Sequence, residues 1–186
     1  MNKYLFRKIL IYGSMIILCS VIQLNYPREL EFKDMIPDFL LVLTVIITYF
    51  NGLNDGIAVS VITGSVKCIF AGRFLGLGVL IMLYSAIISA YFLRKYIRTS
   101  IAAAVLQIFM ISLLYFSITG AVSFLAGGTV YPVNIFIEWW IIERLFAGSV
   151  MNLAAALPVA FIVRLIPGVG KNGEIGSQYV RPMEII

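Results

Sequence analysis

The chain contains no histidine, only two cysteines and few charged residues. Asp, Glu, Lys and Arg make up 12% of its 186 residues. The lack of histidine excludes His-based metal sites and acid–base catalysis by imidazole. Cys19 and Cys68 both lie inside apolar segments. We therefore interpret them as small packing residues rather than as partners in a disulfide.

Residue patterns that carry catalysis are also missing. The sequence has no Ser/His/Asp set, no metal-ligand spacing and no phosphate-binding loop. The run GRFLGLG has neither a preceding strand nor a following Lys-Ser/Thr pair. The carboxylates lie mostly in loops or at helix ends, whereas a proton relay needs them within a span. We expect no enzymatic activity, no cofactor and no metal, and a small membrane enzyme is the least favoured hypothesis.

What the chain has in abundance is apolar residues. Hydrophobic residues make up 61% of it, and its mean hydropathy is +1.00. Ordinary globular domains are about half apolar and about a quarter charged. The composition therefore predicts an integral membrane protein whose surroundings are the lipid bilayer. The net charge of +5 lies in short clusters between apolar segments, which is typical of cytoplasmic loops and does not indicate nucleic acid binding.

The apolar segments predict an all-α membrane protein with six transmembrane helices in one bundle. A spanning helix needs about 20 mostly apolar residues. The predicted spans are 7–26, 36–51, 55–71, 74–93, 99–126 and 142–166. They form one domain over residues 1–166, followed by a flexible cytoplasmic tail at 167–186.

Basic residues predict the orientation of these spans. Lys3, Arg7 and Lys8 place the N-terminus in the cytoplasm, and the basic cluster at 94–98 should lie there too. Six spans satisfy both conditions, whereas a re-entrant third segment would place the cluster outside. Both termini are then cytoplasmic. No small-x-small cleavage site follows the first apolar run, so we expect that run to be an uncleaved span.

Small residues recur at every fourth position along the third predicted span. Such residues let another helix backbone approach closely, which is how helices associate in lipid. A step of four residues turns the helix by about 400°, so the stripe winds around the helix and favours a crossing partner. A second span of the same chain is the favoured partner, and a subunit interface is the alternative. The candidate interface residues are Gly56, Ser60, Gly64, Cys68 and Gly72.

Several polar residues stand out in or beside the spans. Lys67 is a charge within the third span, and we expect it to reach the interface, to pair locally or to bind a partner. Asn152 lies within the sixth span, where it predicts an interhelical hydrogen bond. Pro37 suits the first turn of the second helix, and Asp38 favours the positive end of its dipole. Asn54 or Asp55 is expected to cap the third helix.

Two adjacent segments carry a family resemblance. PDFLLVLTVIITYF and then NGLNDGIAVSVITGSVKCIFAGRFLG resemble the rod shape-determining protein MreD family. The matching positions are the Pro37–Asp38 pair that opens a span and, later, Asn152 in FAGSVMNLAAALP. The likeness covers the layout of residues 1–166 and is most specific at 36–78. The family often carries an acidic residue after the glycine of the third helix, in a Gly-Leu-Leu-x-Asp pattern. This chain has the base Lys67 near that position, so the role of that acid is not carried over.

The resemblance implies a non-enzymatic scaffold in the bacterial inner membrane. MreD-like proteins act with the single-span coiled-coil protein MreC, the actin-like MreB, the glycosyltransferase RodA and a transpeptidase to place peptidoglycan and maintain cell shape. Their fold is related to the substrate-binding subunits of energy-coupling-factor vitamin transporters. Such a transporter subunit is the alternative function. Those subunits often carry Ala-x-x-x-Ala in the first span, whereas ILIYGSMIILCSVIQLN contains no alanine.

Overall fold

In the computed structural model, the residues described here (3–32, 35–71, 76–93, 101–125 and 136–165) form helices and short connections. This part of the chain contains no strand, and a single bridge joins Phe32 to Met35. A short 3-10 turn covers Arg28–Leu30, and a π-helical turn at Ser89–Leu93 extends the fourth helix. The α-helices are α1 Lys3–Leu24, α2 Phe39–Asn51, α3 Leu53–Ala71, α4 Leu77–Ile88, α5 Ile101–Leu125 and α6 Phe136–Leu165.

Four of these helices are long and apolar enough to cross a membrane. They are α1, α3, α5 and α6. Helices α2 and α4 are also apolar but have only 13 and 12 residues. The protein is therefore all-helical over the described residues and membrane-embedded, and the count of six spans stays a prediction.

The helix boundaries differ from the expected ones at three places. Pro37 precedes α2 and does not lie in its first turn, because Asp38 is the N-cap and the helix begins at Phe39. Helix α3 begins at Leu53, so Asn54 and Asp55 lie in its first turn and do not cap it. Helix α6 begins six residues before the expected start at 142.

A single residue connects α2 and α3. Gly52 has a φ of 97° and a ψ of −179°, a combination that is open almost only to glycine. Because this one residue reverses the chain, α3 starts immediately and needs no capping loop. Gly72, the basic cluster at 94–98 and the expected tail at 167–186 lie outside the described residues.

Helix α2 is the centre of the bundle. Every residue from Leu40 to Phe50 is buried, and α2 packs against each of the other five helices. A helix that is apolar on all sides is expected to lie inside a bundle. The short α2 is therefore shielded from lipid by the helices around it.

The small residues of α3 face two different helices. A Cβ atom on Gly56 would overlap the side chain of Thr48 in α2. One on Gly64 would lie 2.7 Å from the Cα atom of Val79 in α4, and one on Gly78 of α4 would lie 2.6 Å from the Cys68 sulfur. Along α3 the stripe thus turns from α2 towards α4, as a winding stripe must.

We expect Gly64→Ala to destabilise the protein because its methyl group would collide with backbone atoms of α4. Overpacking of this kind costs about 1–3 kcal/mol. Unfolding of the purified protein in mixed micelles measures the loss. Gly120→Ala is the matched control, since nothing lies within 4 Å of the added Cβ. Equal midpoints for the two variants would contradict the close approach of α3 and α4.

Candidate functional site

Asp38 uses both carboxylate oxygens at the start of α2. Its Oδ1 atom accepts a hydrogen bond of 3.1 Å from the backbone N–H of Leu41, which caps the helix. Its Oδ2 atom forms an ion pair with Lys67 Nζ, near the end of α3. The side chains of Asp38 and Lys67 are 7% and 21% exposed. This pair therefore joins the ends of two helices with both charges largely removed from the surface.

Asn152 connects this ion pair to two more helices. Its Oδ1 atom accepts a hydrogen bond of 2.6 Å from the backbone N–H of Asp38. Its Nδ2 atom donates to Ser112 Oγ of α5 over 2.9 Å. Both Asn152 and Ser112 are fully buried. One amide from α6 thus satisfies polar groups of α2 and α5, which would otherwise be left without partners in an apolar interior.

Tyr115 completes the surroundings of the cation. Lys67 Nζ lies 4.1 Å from the centre of the Tyr115 ring, a distance at which a cation is attracted to the face of an aromatic ring. We define the Asp38 cluster as Asp38, Lys67, Ser112, Tyr115 and Asn152. It draws on α2, α3, α5 and α6.

The structure brings together the polar positions that the sequence pointed to in separate spans. Asp38, Lys67 and Asn152 are all in the Asp38 cluster, and Pro37 directly precedes it. Lys67 forms a local pair, which was one of the expected alternatives. The small residues Gly56, Ser60 and Gly64 lie outside the cluster. Together with Cys68 they belong to the surfaces of α3 that pack against neighbouring helices.

Sequence reasoning missed Ser112 and Tyr115. They lie three positions apart in α5 and hence on one face of it. That spacing of polar groups in an apolar helix was the available signal. The polar residue Gln107 of the same helix was expected to form an interhelical hydrogen bond, and its Nε2 atom donates to the carbonyl oxygen of Ser89 over 3.1 Å.

A second polar group lies at the opposite end of α2, and we define it as the Asp55 cluster. It comprises Lys8, Tyr12, Asn51 and Asp55. Tyr12 Oη donates to Asp55 Oδ2 over 2.7 Å and accepts from Asn51 Nδ2 over 2.5 Å. Lys8 Nζ lies 2.5 Å from the same carboxylate oxygen. The cluster ties α1 to the turn between α2 and α3.

The chemistry of these clusters is that of helix association. In the Asp38 cluster one carboxylate neutralises one cation, and the remaining polar atoms bond to each other. Across the described ranges, no three His, Cys, Asp or Glu side chains are grouped so that they could hold a metal ion. The arrangement can fix how helices meet.

We expect Lys67→Met alone to be more damaging than Lys67→Met combined with Asp38→Asn. The single change leaves a buried carboxylate without its cation, at a cost of up to about 3 kcal/mol for a partly exposed pair. The asparagine side chain of the double variant keeps an N-cap acceptor and carries no charge. Unfolding of the wild type, both single variants and the double variant in mixed micelles measures the coupling. Additive effects would show that the pair contributes nothing.

Asn152→Leu should weaken the bundle by about 1–3 kcal/mol, because the Asp38 N–H loses its buried acceptor. Ser149→Ala is the control on the same helix. Ser149 is equally buried, but its hydroxyl bonds to Leu145 O within α6. The same unfolding assay compares the two variants. A Ser149→Ala effect as large as that of Asn152→Leu would argue against the interhelical role of Asn152.

No protein-family model, curated protein or solved structure matches the chain.

Proposed function

We propose that this protein is a non-enzymatic scaffold subunit of the bacterial cell-elongation complex, similar to MreD. In this proposal it lies in the inner membrane with six spans and both termini in the cytoplasm. It binds an MreC-like single-span coiled-coil protein. Together with MreB, RodA and a transpeptidase it helps to position peptidoglycan synthesis.

The hydrogen bond between Asp38 and Asn152 is the observation that carries this proposal. The two residues lie 114 positions apart, and each belongs to one of the separate segments that resemble the family. Motif positions in distant segments are expected to meet when they serve one common structure. Their direct contact supports treating the two segments as parts of a single signature.

The arrangement of charges supports the proposed topology. Lys8 and Asp55 share one end of the bundle, and at that same end Arg164 lies 5.4 Å from the ring centre of Phe50. Basic residues near span ends are typical of the cytoplasmic side. Because α2 and α3 are joined by Gly52 alone, both helices reach that side at nearly the same depth. Crossing by α2 and α4 then gives six spans.

The state of the buried charges favours a scaffold over a chemical role. Asp38 and Lys67 neutralise each other, and the neighbouring polar groups are engaged in helix-to-helix hydrogen bonds. A rigid core of this kind presents outer helix faces in a fixed arrangement. Such faces are what a single-span partner helix needs for close packing.

Co-purification tests the proposal. The tagged full-length protein, expressed with the single-span coiled-coil protein of the same genome, should retain that protein through detergent extraction. Depletion of the membrane protein should round rod-shaped cells, and the wild-type chain should restore the rod shape. Absence of association together with unchanged cell shape would refute the proposal.

A ligand screen separates the scaffold from the transporter alternative. A substrate-binding subunit saturated at 100 times the dissociation constant gains about 2.7 kcal/mol of stability. We expect no vitamin to raise the unfolding midpoint of the purified protein. A vitamin that does so, in a protein that fails to retain the coiled-coil partner, would favour the transporter function.

A further inference from the structure

The Asp38 cluster and the Asp55 cluster lie at two different heights along the helix axes, and the separation between them is short and nearly the same on each helix. Asp55 and Lys67 lie twelve positions apart in α3, and Asn152 and Arg164 lie twelve positions apart in α6. Asp38 precedes α2, which ends at Asn51 after 13 residues. At 1.5 Å per residue, the Asp38 cluster and the Asp55 cluster are therefore about 18–20 Å apart along the helix axes.

This separation is smaller than the thickness of a bilayer. The hydrocarbon core of a typical bilayer is about 30 Å thick. At the Asp55 end, charged residues of three helices lie near one height: Lys8 of α1, Asp55 of α3 and Arg164 of α6. Charged residues at one height are expected to lie near the membrane boundary at that end. In a flat bilayer the Asp38 cluster would then lie about 10 Å below the opposite boundary.

Helices α1 to α4 all stop near the height of the Asp38 cluster. Leu24 ends α1, and the ring of the following Tyr26 lies 6.1 Å from that of Phe39 at the start of α2. Helix α3 ends at Ala71, four residues after Lys67. Helix α4 begins at Leu77, where Gly78 lies beside Cys68. We call these four helices the short side of the bundle.

Helices α5 and α6 continue well past that height. Helix α5 runs on from Ser112 to Leu125, which adds about 20 Å. Helix α6 begins at Phe136, sixteen positions before Asn152, which adds about 24 Å. Their side chains just above the Asp38 cluster include the exposed apolar residues Leu114 and Phe146. We call α5 and α6 the tall side of the bundle, because exposed apolar side chains continue on them above the height of the Asp38 cluster.

Residues 25–32, which follow α1, lie on the short side and mix charged with apolar residues. Leu30 and Phe32 are 61% and 47% exposed, and they alternate with the charged residues Glu29 and Glu31. Such a mixture suits the boundary between headgroups and acyl chains. Met35 keeps the chain before α2 close to the height of the Asp38 cluster. Its Cε atom lies 3.1 Å from the position that a Cβ atom on Gly148 would take, and Gly148 is one helical turn above Asn152.

We propose that the leaflet at the Asp38 end is thinned on the short side of the bundle, so that lipid headgroups rest on residues 25–32. Burying the charges of that segment in hydrocarbon is expensive, whereas thinning a bilayer costs little per ångström. The tall side keeps a leaflet of normal depth. The protein therefore imposes a step in membrane thickness between its two sides.

Nitroxide labels at Leu24 and Leu114 test the step. Both residues lie within about 3 Å of the height of the Asp38 cluster, and their side chains are 59% and 39% exposed. Each is changed to Cys in a full-length protein in which Cys19→Ala and Cys68→Ala remove the native thiols. Reconstitution in dioleoylphosphatidylcholine vesicles, followed by collision with oxygen and with a water-soluble nickel complex, gives the depth of each label.

The label at position 24 should lie near the headgroups, and the label at position 114 should lie about 8 Å deeper. A label at Ile17, which is near the middle of α1 and exposed, provides the reference for the bilayer centre. In vesicles of a lipid with shorter acyl chains, the difference between positions 24 and 114 should shrink. Equal depths at the two positions, whether shallow or deep, would overturn the proposal.

Discussion

The ion pair between Asp38 and Lys67 is the interaction on which the rest of the bundle depends. Two charges removed from water are tolerated only when they meet in good geometry and their remaining polar atoms are also bonded. Asp38 meets this condition with three separate groups. One carboxylate oxygen caps α2, the other binds Lys67, and the backbone N–H donates to Asn152. The position of a single residue thereby orients α2, α3 and α6 relative to one another.

The packing around α2 shows how helices associate in lipid. Burial of apolar surface does not drive helices together there, so contact area and interhelical hydrogen bonds must do so. Because Gly56 has no side chain, α2 can approach α3 closely. The hydroxyls of Thr44 and Thr63 form a hydrogen bond of 2.9 Å across the same interface. A helix too short to cross the bilayer easily is thus placed where lipid does not touch it.

The helices and their polar residues could be predicted from the sequence, but the meeting of those residues could not. Apolar length and charge indicated helices close to those observed, and Lys67 and Asn152 stood out because polar groups are costly in lipid. Which side chain each one meets depends on the rotation and height of neighbouring helices. Those are set by packing, as at Gly64 and Val79, and no local pattern records them.

The start of α2 and the participation of Ser112 show the same limit. Proline at position 37 is compatible with a first turn, yet Asp38 takes the N-cap because its backbone N–H is held by Asn152. Ser112 resembles any other small residue of an apolar helix until α6 is packed against it. The sequence indicated that Asn152 and the small residues of α3 need a partner helix, and packing determined which residues they meet.

The one-residue connection at Gly52 has a consequence for how the chain enters the membrane during synthesis. A single residue leaves little freedom for α2 and α3 to move apart, so we expect them to enter the membrane as one helical hairpin. Asp38 stands fourteen positions before Gly52 and Lys67 fifteen positions after it. The hairpin therefore delivers its carboxylate and its ammonium group to the same depth, and each charge is accompanied by its partner from the moment it leaves water.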